Sequence, residues 1–404
     1  MPVRDFSLQR LQELSERVRQ GTAQQQQHLK QLADKLANLP SVDALQALSA
    51  QLARLREVPV TLAHFSDASE LPFRPIPIRP HDEPERYALI ASDGSQILPE
   101  PDDPVPVAYT QVGCIAVARG MDDPSALTGA VRKMSWGEWR VGSELIDAAS
   151  GERLTPAQLN AQRDLAERQI LTEACALAVQ HRVAPFALVD GTLLPFALLS
   201  SQAPDRGLLS EFIAALDALQ AYGAVVCGYV DSPDSAFLVR TCALADLAPD
   251  QVSEQSVRAR LDLVGAVRDR DLLALTLPPG HRTPIFTPGW RMNTPSTLKQ
   301  HTVRACYVNL TSPAFPLPAI ARLEVPAWCA ETACVNQLCA VLLRQAQLGD
   351  LRAQGYPFVL RLVHAHVVIR RSEGQSLKRL LTRLAYRSGA RVTLSPKARF
   401  KLRR

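Results

Sequence analysis

The strongest constraint on the fold of this chain is the alternation of strand-like and helix-like runs between residues 87 and 230. The runs are strand-like over 87–93, 107–118 and 130–141, helix-like over 156–181, strand-like over 186–190, helix-like over 208–222 and strand-like over 224–230. Strands that follow one another closely can form an antiparallel meander, whereas strands separated by helices are joined by parallel crossovers. The order therefore predicts an α/β fold, with a mixed sheet flanked by helices.

The flanking segments have a different character. Residues 6–56 carry leucines at helical spacing, which predicts amphipathic helices broken near Gly21 and at Pro40-Ser41. This arm, assigned to residues 1–60, can pack on its own body, dimerise or dock a partner. A proline-rich connector follows over 61–86, and the α/β domain is predicted over 87–375, with a basic tail over 376–404.

The composition places the chain among ordinary globular proteins. Hydrophobic residues make up 47% and charged residues 21% of the 404 positions, and no signal-peptide pattern or long apolar run occurs. The eight cysteines contain no CxxC pair, which indicates reduced thiols rather than a metal site or disulfides. We therefore expect a cytoplasmic protein.

Positive charge is concentrated at the carboxyl-terminal end. Residues 370–404 contain twelve Lys or Arg and one Glu, although the whole chain carries a formal charge of only +5. A basic tail on a mildly acidic body indicates a polyanionic partner, with nucleic acid favoured over an acidic membrane surface or a merely solvated terminus. The predicted nucleic-acid-binding residues are Arg370, Arg371, Lys378, Arg379, Lys397 and Lys401.

Two strand-like runs end in the same short motif. Asp93-Gly94-Ser95 follows one run and Asp190-Gly191-Thr192 follows another. A single Asp-Gly after a strand is common in turns. Two copies at the carboxyl ends of neighbouring parallel strands would bring two carboxylates together, and hard oxygen ligands of this kind suit divalent metal ions. Asp93 and Asp190 are therefore candidate metal ligands.

A third carboxylate is expected from the helix that precedes the second motif. Glu167 shares a stripe with Ile170, Leu171 and Ala174, which should face the sheet, whereas Glu173 lies elsewhere on the helix. A carboxylate on an inward stripe is costly to bury unless a cation neutralises it. The pattern favours Glu167 as the further acidic residue of a two-metal site.

Two histidines lie close to the basic tail. The run over 357–369 alternates as a strand does, which predicts that His364 and His366 share one face. An imidazole there can bind a metal, transfer a proton or simply satisfy a local carbonyl.

Six segments in this order resemble the NurA nucleases, which act with the HerA translocase in DNA end resection. They are SDGSQI at 92–97, LVDGTLL at 188–194, GYVDSPDS at 228–235, DRDLLALTLPPGHRTPIF at 269–286, YVN at 307–309 together with ARLEVPAW at 321–328, and GYPFVLRLVHAHVVI at 355–369. Each segment is weakly specific by itself, and the ordered series is what carries the resemblance.

The resemblance implies a ribonuclease H-like core and a manganese-dependent active site with two ions, Mg²⁺ being the other candidate. It places the acidic residues on Asp93, Glu167 and Asp190, and a late tyrosine and histidine on Tyr356 and His364. His364 is included among the metal ligands. Tyr307 and His366 remain alternatives for the last two positions.

The implied activity is a single-strand endonuclease and 5′-to-3′ exonuclease on single- and double-stranded DNA. The implied assembly is a homodimer that encloses the DNA, with a HerA-type hexameric ATPase as its motor. Two other functions are compatible with the same residues. One is a catalytically silent DNA-binding adaptor for a motor, and the other is an actin-like ATPase or sugar kinase, which also uses Asp-Gly turns.

Overall fold

The computed structural model describes residues 8–55, 57–58, 60–66, 73–100, 103–147, 150–199, 206–314, 317–348 and 354–389. Its helices are α1 (Leu8–Ala37), α2 (Val42–Leu52), α3 (Ser125–Lys133), α4 (Pro156–Gln180), α5 (Phe196–Leu199), α6 (Arg206–Ala221), α7 (Phe237–Leu244), α8 (Glu254–Val264), α9 (Asp269–Thr276), α10 (Pro295–Leu298), α11 (Thr332–Ala346), α12 (Phe358–Val367) and α13 (Arg371–Arg387). Its strands are β1 (Ala63–Phe65), β2 (Ile76–Pro77), β3 (Tyr87–Ile97), β4 (Val107–Arg119), β5 (Trp136–Val141), β6 (Ala184–Asp190), β7 (Val225–Asp231), β8 (His281–Arg282), β9 (Phe286–Pro288), β10 (Val303–Asn309) and β11 (Ile320–Pro326).

These elements form two compact units. The first, here called the Asp93 unit, contains the described residues within 80–229, 298–301 and 325–404. The second, called the arm unit, contains those within 1–79, 230–297 and 302–324.

The sheet of the Asp93 unit has the strand order β7-β6-β3-β4-β5. β3, β4 and β5 form an antiparallel meander, whereas β6 pairs parallel to β3 and β7 pairs parallel to β6. The parallel pairs are joined through α4 and α6, as crossover connections require. The predicted α/β class, with a mixed sheet flanked by helices, is confirmed.

The strand β3 lies at the centre of this sheet because its sequence is apolar on both faces. Tyr87 to Ala91 are almost completely buried, and α4 and α12 both pack against this strand. α4 begins at a strong start signal, in which Thr155 caps the helix, Pro156 occupies its first turn and Gln158 completes a capping box.

The predicted strand over 130–141 is wrong in its first half. Residues 125–133 form the helix α3, and the strand β5 begins only at Trp136. Leu127 and Val131 are four residues apart and both are buried, which is the spacing of a helix face. This short helix lies directly before β5 and contains β-branched and apolar residues, so its sequence resembles the start of a strand.

The predicted strand over 357–369 is also wrong, because most of this segment is the helix α12. Its buried residues are Val359, Leu360, Val363 and Val367. These positions repeat at helical spacing, so the segment carries a period of about 3.6 residues beneath its apparent alternation. Packing of that stripe on the sheet decides the conformation.

The arm unit buries part of the predicted helical arm. α1 continues through Gly21, so the predicted break there is wrong, whereas the break at Pro40-Ser41 is confirmed. A glycine inside a helix costs only about 1 kcal/mol, which neighbouring turns can tolerate. Leu32, Leu36 and Leu45 join a core cluster with residues of α7 and α9. The arm therefore packs on its own unit over this stretch.

The strands of the arm unit follow the order β1-β9-β10-β11, and β8 pairs with both β2 and β10. In the whole described part of the chain, no helix has both the length and the apolar character of a membrane span. The eight cysteines all lie in this part and none forms a disulfide.

A buried carboxylate organises the amino-terminal end of α7. Asp269 is fully buried and accepts hydrogen bonds from the backbone N–H groups of Phe237 and Val239, at 2.8 and 2.9 Å. It also accepts one from the Tyr307 hydroxyl at 2.5 Å. Burial raises the pKa of Asp269 to about 6, against the opposing effect of these donors. The side chain therefore joins α7, α9 and β10 at one point.

Replacing Asp269 by Asn should destabilise the protein. An amide has one acceptor oxygen, whereas a carboxylate has two. One of the donors that now bonds to Asp269 would therefore meet the N–H₂ group of Asn, and leaving a buried donor without an acceptor costs about 1–3 kcal/mol. The midpoint of urea unfolding should fall. Asp234→Asn, at a largely exposed position, is the matched control and should leave the midpoint nearly unchanged. Equal midpoints for the two variants would contradict the role assigned to Asp269.

Candidate active site

Asp93 and Asp190 lie next to each other on two parallel strands. β3 and β6 pair in register as far as Ser92 and Val189, so the following residue on each strand is an aspartate. Neighbouring strands are about 4.8 Å apart, and residues in register share a face of the sheet. The structure thus brings together the two carboxylates that the repeated motif predicted would converge.

The two Asp-Gly pairs nevertheless have different local roles. β6 ends at Asp190, and Gly191 turns the chain with a φ of 102°, a conformation that favours glycine. β3 instead continues to Ile97, so the expectation that both strands end at the aspartate is wrong for Asp93. At Gly94 the requirement is space, because a Cβ atom there would lie 2.6 Å from Oε1 of Glu167.

Glu167 approaches β3 at Gly94, the residue after Asp93. Its carboxyl group is close enough to Asp93 for the charge of that aspartate to act on it. Its side chain is buried, with an ion pair of 3.2 Å from Oε1 to Nε of Arg163, whereas Glu173 is exposed. Burial raises the pKa of Glu167 to about 8, despite the opposing charge of Arg163.

His364 reaches Asp93 from the helix α12. Its Nδ1 atom lies 3.0 Å from Oδ2 of Asp93, and its side chain is 61% exposed, so the rest of the ring remains accessible. Residues two apart on a helix are rotated by about 200°, which places His366 on the other side of α12. There its Nε2 atom lies 3.0 Å from Oγ of Ser135. The geometry separates the two histidines that the sequence left as alternatives.

Three residues hold the carboxyl-terminal end of α12 against the sheet. The Gln111 amide donates to the Val367 carbonyl at 2.5 Å, and the Ile369 N–H donates to Oγ of Ser95 at 3.0 Å. Gly113, which pairs with Asp93, leaves room for the helix, because a Cβ atom there would lie 2.4 Å from Cγ1 of Val367. Close contact at this glycine is what allows His364 to reach Asp93.

The two candidate tyrosines belong to different units. The Tyr356 ring packs edge-on against Tyr229, with 5.4 Å between the ring centroids, and Tyr229 pairs with Asp190 in the sheet. Tyr356 is thus one side chain away from the acidic site. Tyr307 belongs to the arm unit, where its hydroxyl contacts Asp269 and Ser235. Geometry favours Tyr356 for the predicted position.

The predicted basic residues have unequal surroundings. Arg370 and Arg371 are exposed at the start of α13, and Arg379 is exposed in the middle of this helix. Lys378 is partly buried and forms an ion pair of 2.7 Å with Asp103, so part of its charge serves the fold. Lys397 and Lys401 lie outside the described residues.

The donor types at this site fit a hard divalent cation. Asp93, Asp190 and Glu167 offer carboxylate oxygens, which such ions prefer. Among the described residues, however, no three His, Cys, Asp or Glu side chains are gathered closely enough to hold an ion. Asp93 is engaged by His364 and Glu167 by Arg163. A divalent ion would therefore compete with these two partners for the carboxylates.

Several residues that shape the site escaped the sequence argument. Gln111, Gly113 and Arg163 were not singled out, and Ser95 was noted only as part of its motif. A glycine that interrupts an apolar strand often marks a close approach of another backbone or helix, and this signal was present at Gly113. Arg163 lies four residues before Glu167, a spacing typical of a helical ion pair.

Gly113→Ala should separate His364 from Asp93. The added methyl group would overlap Val367, and overpacking of this kind typically costs about 1–3 kcal/mol. We expect a lower melting temperature and a change in the chemical shift of the His364 ring in NMR spectra, because the ring loses its contact with Asp93. Gly113→Ala combined with Val367→Ala removes the overlapping atoms and should recover part of both properties. A single variant that behaves like the parent would contradict the close approach.

Glu167→Gln should change how stability depends on pH. The pKa of Glu167 in the folded protein is about 8, above its ordinary value of 4.5, so its contribution to stability is lost as the pH rises through 8. In metal-free buffer the melting temperature of the parent should fall relative to that of the variant between about pH 5 and about pH 9. Glu173→Gln is the matched control and should follow the parent. Parallel curves for all three proteins would contradict the elevated pKa.

Comparison with known proteins agrees with the arrangement of these elements. The NurA domain model matches residues 87–369, which is well over half of the chain and includes every described candidate acid, tyrosine and histidine. No curated protein matches the chain. The strand order, the paired aspartates and the extent of the domain match lead to one assignment: the chain belongs to the NurA family, which is a family of nucleases.

Proposed function

We propose that this protein is a divalent-metal-dependent DNA nuclease that uses Mn²⁺ or Mg²⁺. The observation that carries the proposal is the placement of Asp93 and Asp190 in register on neighbouring parallel strands, with His364 bonded to the first of them. Carboxylates arranged in this way can hold cations beside a phosphodiester, and the family assignment supports the same chemistry.

The acidic residues would hold the ions. Asp93 and Asp190 share one face of the sheet, and Glu167 supplies a further carboxylate next to Gly94, close enough for the charge of Asp93 to act on it. Bound divalent ions would supply a nucleophile at neutral pH and would stabilise the charge on the departing 3′-oxygen. Arg163 neutralises part of the charge on Glu167, and this limits the cost of keeping the carboxylate buried.

His364 has two tasks in this proposal. Its Nδ1 atom holds the Asp93 carboxylate, which fixes the orientation of a group that would bind metal. Its Nε2 atom is then the ring position that can take up or release a proton at a phosphate or a water molecule. The alternative, in which His364 itself binds a metal, requires the imidazole to leave Asp93.

The specific activities that we propose are single-strand endonuclease and 5′-to-3′ exonuclease cleavage, acting in DNA end resection. Exposed arginines at 370, 371 and 379 offer positive charge to a DNA backbone. The chain contains no Gly-Lys pair and therefore no Walker A motif, so a separate ATPase of the HerA type would have to drive translocation.

A homodimer in the cytoplasm completes the proposal. α13 exposes Leu380, Leu384 and Tyr386, an apolar surface of the kind that marks contacts with another protein. The free cysteines suit a reducing compartment.

The proposal is tested by cleavage of end-labelled single- and double-stranded DNA with Mn²⁺, with Mg²⁺ and with EDTA. Asp93→Asn and Asp190→Asn should each lower the rate by roughly a hundredfold or more, because each removes a charged metal ligand. Both should still bind DNA in EDTA. Glu173→Gln, on the exposed face of α4, is the control and should cleave like the parent.

Three outcomes would overturn the proposal. Metal-dependent cleavage that survives both aspartate substitutions would move the active centre elsewhere. Retention of DNA without cleavage in either metal would favour the silent adaptor, and tight ATP binding would favour the ATPase or kinase function.

A further inference from the structure

A groove lies beside α12 on the side that carries His366. The helices α3 and α12 form its walls, and Ile115 of β4 contributes to its floor. Its volume is about 570 Å³, within the range of sites that hold small organic molecules. His364 and Asp93 lie on the other flank of the same helix, so the groove is distinct from the acidic site.

The groove has one cationic wall. Thr128 and Arg132 of α3 are four residues apart, so they share one face of that helix, and both line the groove. Arg132 is exposed, and its side chain forms no ion pair or hydrogen bond within the described part of the chain. Ser125 also lines the groove, although its hydroxyl donates to Asp123. Arg132 is therefore the group available for an anionic ligand.

The remaining lining suits the uncharged part of a nucleotide. Ile115, Leu362 and Ala365 provide an apolar surface, and the imidazole of His366 adds an aromatic edge. Gly129 lies on the α3 wall, and a Cβ atom there would meet nothing within 4 Å, which leaves the wall open. A guanidinium next to apolar and aromatic surface is the combination that binds single-stranded nucleic acid.

The position of the groove relates it to the path of a DNA strand. Ile115 of β4 pairs with Ala91 of β3, and Ala91 lies two residues before Asp93 on β3. Ile115 and Asp93 therefore lie on the same face of the sheet. A strand held at Asp93 can therefore extend across α12 towards Arg132. Bases of an intact duplex are paired and stacked, so an unpaired nucleotide has the freedom to enter such a groove.

We propose that this groove holds one unpaired nucleotide of the DNA strand next to the cleaved bond, with its phosphate on Arg132 and its sugar and base on Ile115 and Leu362. This assignment rests on the proposed function, because it takes DNA as the substrate. In this proposal the groove between α3 and α12 selects single-stranded DNA, and the basic residues of α13 contribute to binding as well.

The test fills the groove without disturbing the acidic site. Gly129→Phe places a ring in open space on the α3 wall, and Ala126→Phe adds the same ring to the same helix at an exposed position outside the groove lining. Binding of a fluorescein-labelled oligothymidylate is measured by anisotropy in EDTA. Gly129→Phe should weaken binding roughly fivefold or more, as expected for the loss of one bound nucleotide, and Ala126→Phe should not.

A charge substitution provides an independent measurement. Arg132→Gln should reduce the slope of log affinity against log salt by about 0.7, the value for one phosphate contact on a single strand. Lys133→Gln removes a neighbouring exposed charge that does not line the groove and should change the slope less. Equal slopes for the two variants would show that Arg132 acts only through general attraction.

The outcomes separate this inference from the proposed function. Binding is measured without metal, so weaker binding by Gly129→Phe and Arg132→Gln supports the groove even if the parent protein cleaves nothing. If the parent cleaves DNA and Gly129→Phe binds and cleaves like Ala126→Phe, the groove assignment is wrong and the nuclease stands. If Gly129→Phe fails to fold, the salt dependence of Arg132→Gln decides.

Discussion

The parallel pairing of β3 with β6 is the constraint on which the candidate site depends. The register Ser92 to Val189 determines that an aspartate follows on each strand at the same level. A shift by one residue would turn one of the two carboxylates to the opposite face of the sheet. The register is secured by the strands themselves, because Leu89, Ile90, Leu188 and Val189 are buried and a slip would disrupt their close packing. Packing of apolar residues thus determines where the charged residues meet.

The space around β3 is the second condition. Helices cover both faces of this strand, and at two points they come so close that only glycine fits without displacement. Gly94 makes room for Glu167 on one face, and Gly113 of the neighbouring strand makes room for α12 on the other. The same contacts that bury the strand therefore deliver an acid from α4 and a histidine from α12. A methyl group at either glycine would act on the chemistry through packing alone.

Burial also determines the charge state of the site in the absence of a cation. Glu167 is surrounded by protein, and burial raises its pKa to about 8 against the opposing charge of Arg163, so its carboxyl group takes up a proton far more readily than an exposed glutamate does. Asp93 is instead oriented by an imidazole at 3.0 Å. Binding of a divalent ion would reverse both situations, because a positive charge favours the ionised carboxylate. Cation binding and proton release should therefore be linked at this centre.

Much of this arrangement follows from the sequence by itself. The meander, the crossovers, the paired Asp-Gly motifs and the inward position of Glu167 depend on local periodicity and on strand polarity, both of which a sequence records. The order of the six segments along the chain also indicates the family. The positions of His364 and Tyr356 depended instead on packing. An alternating pattern concealed the helix α12, and only the fit of Val359, Val363 and Val367 against the sheet decided between helix and strand. That decision places His364 and His366 on opposite flanks of one helix, one at the acidic site and the other at the groove. The physical reason is that a side chain's direction is determined by secondary structure, and here tertiary contacts chose the secondary structure.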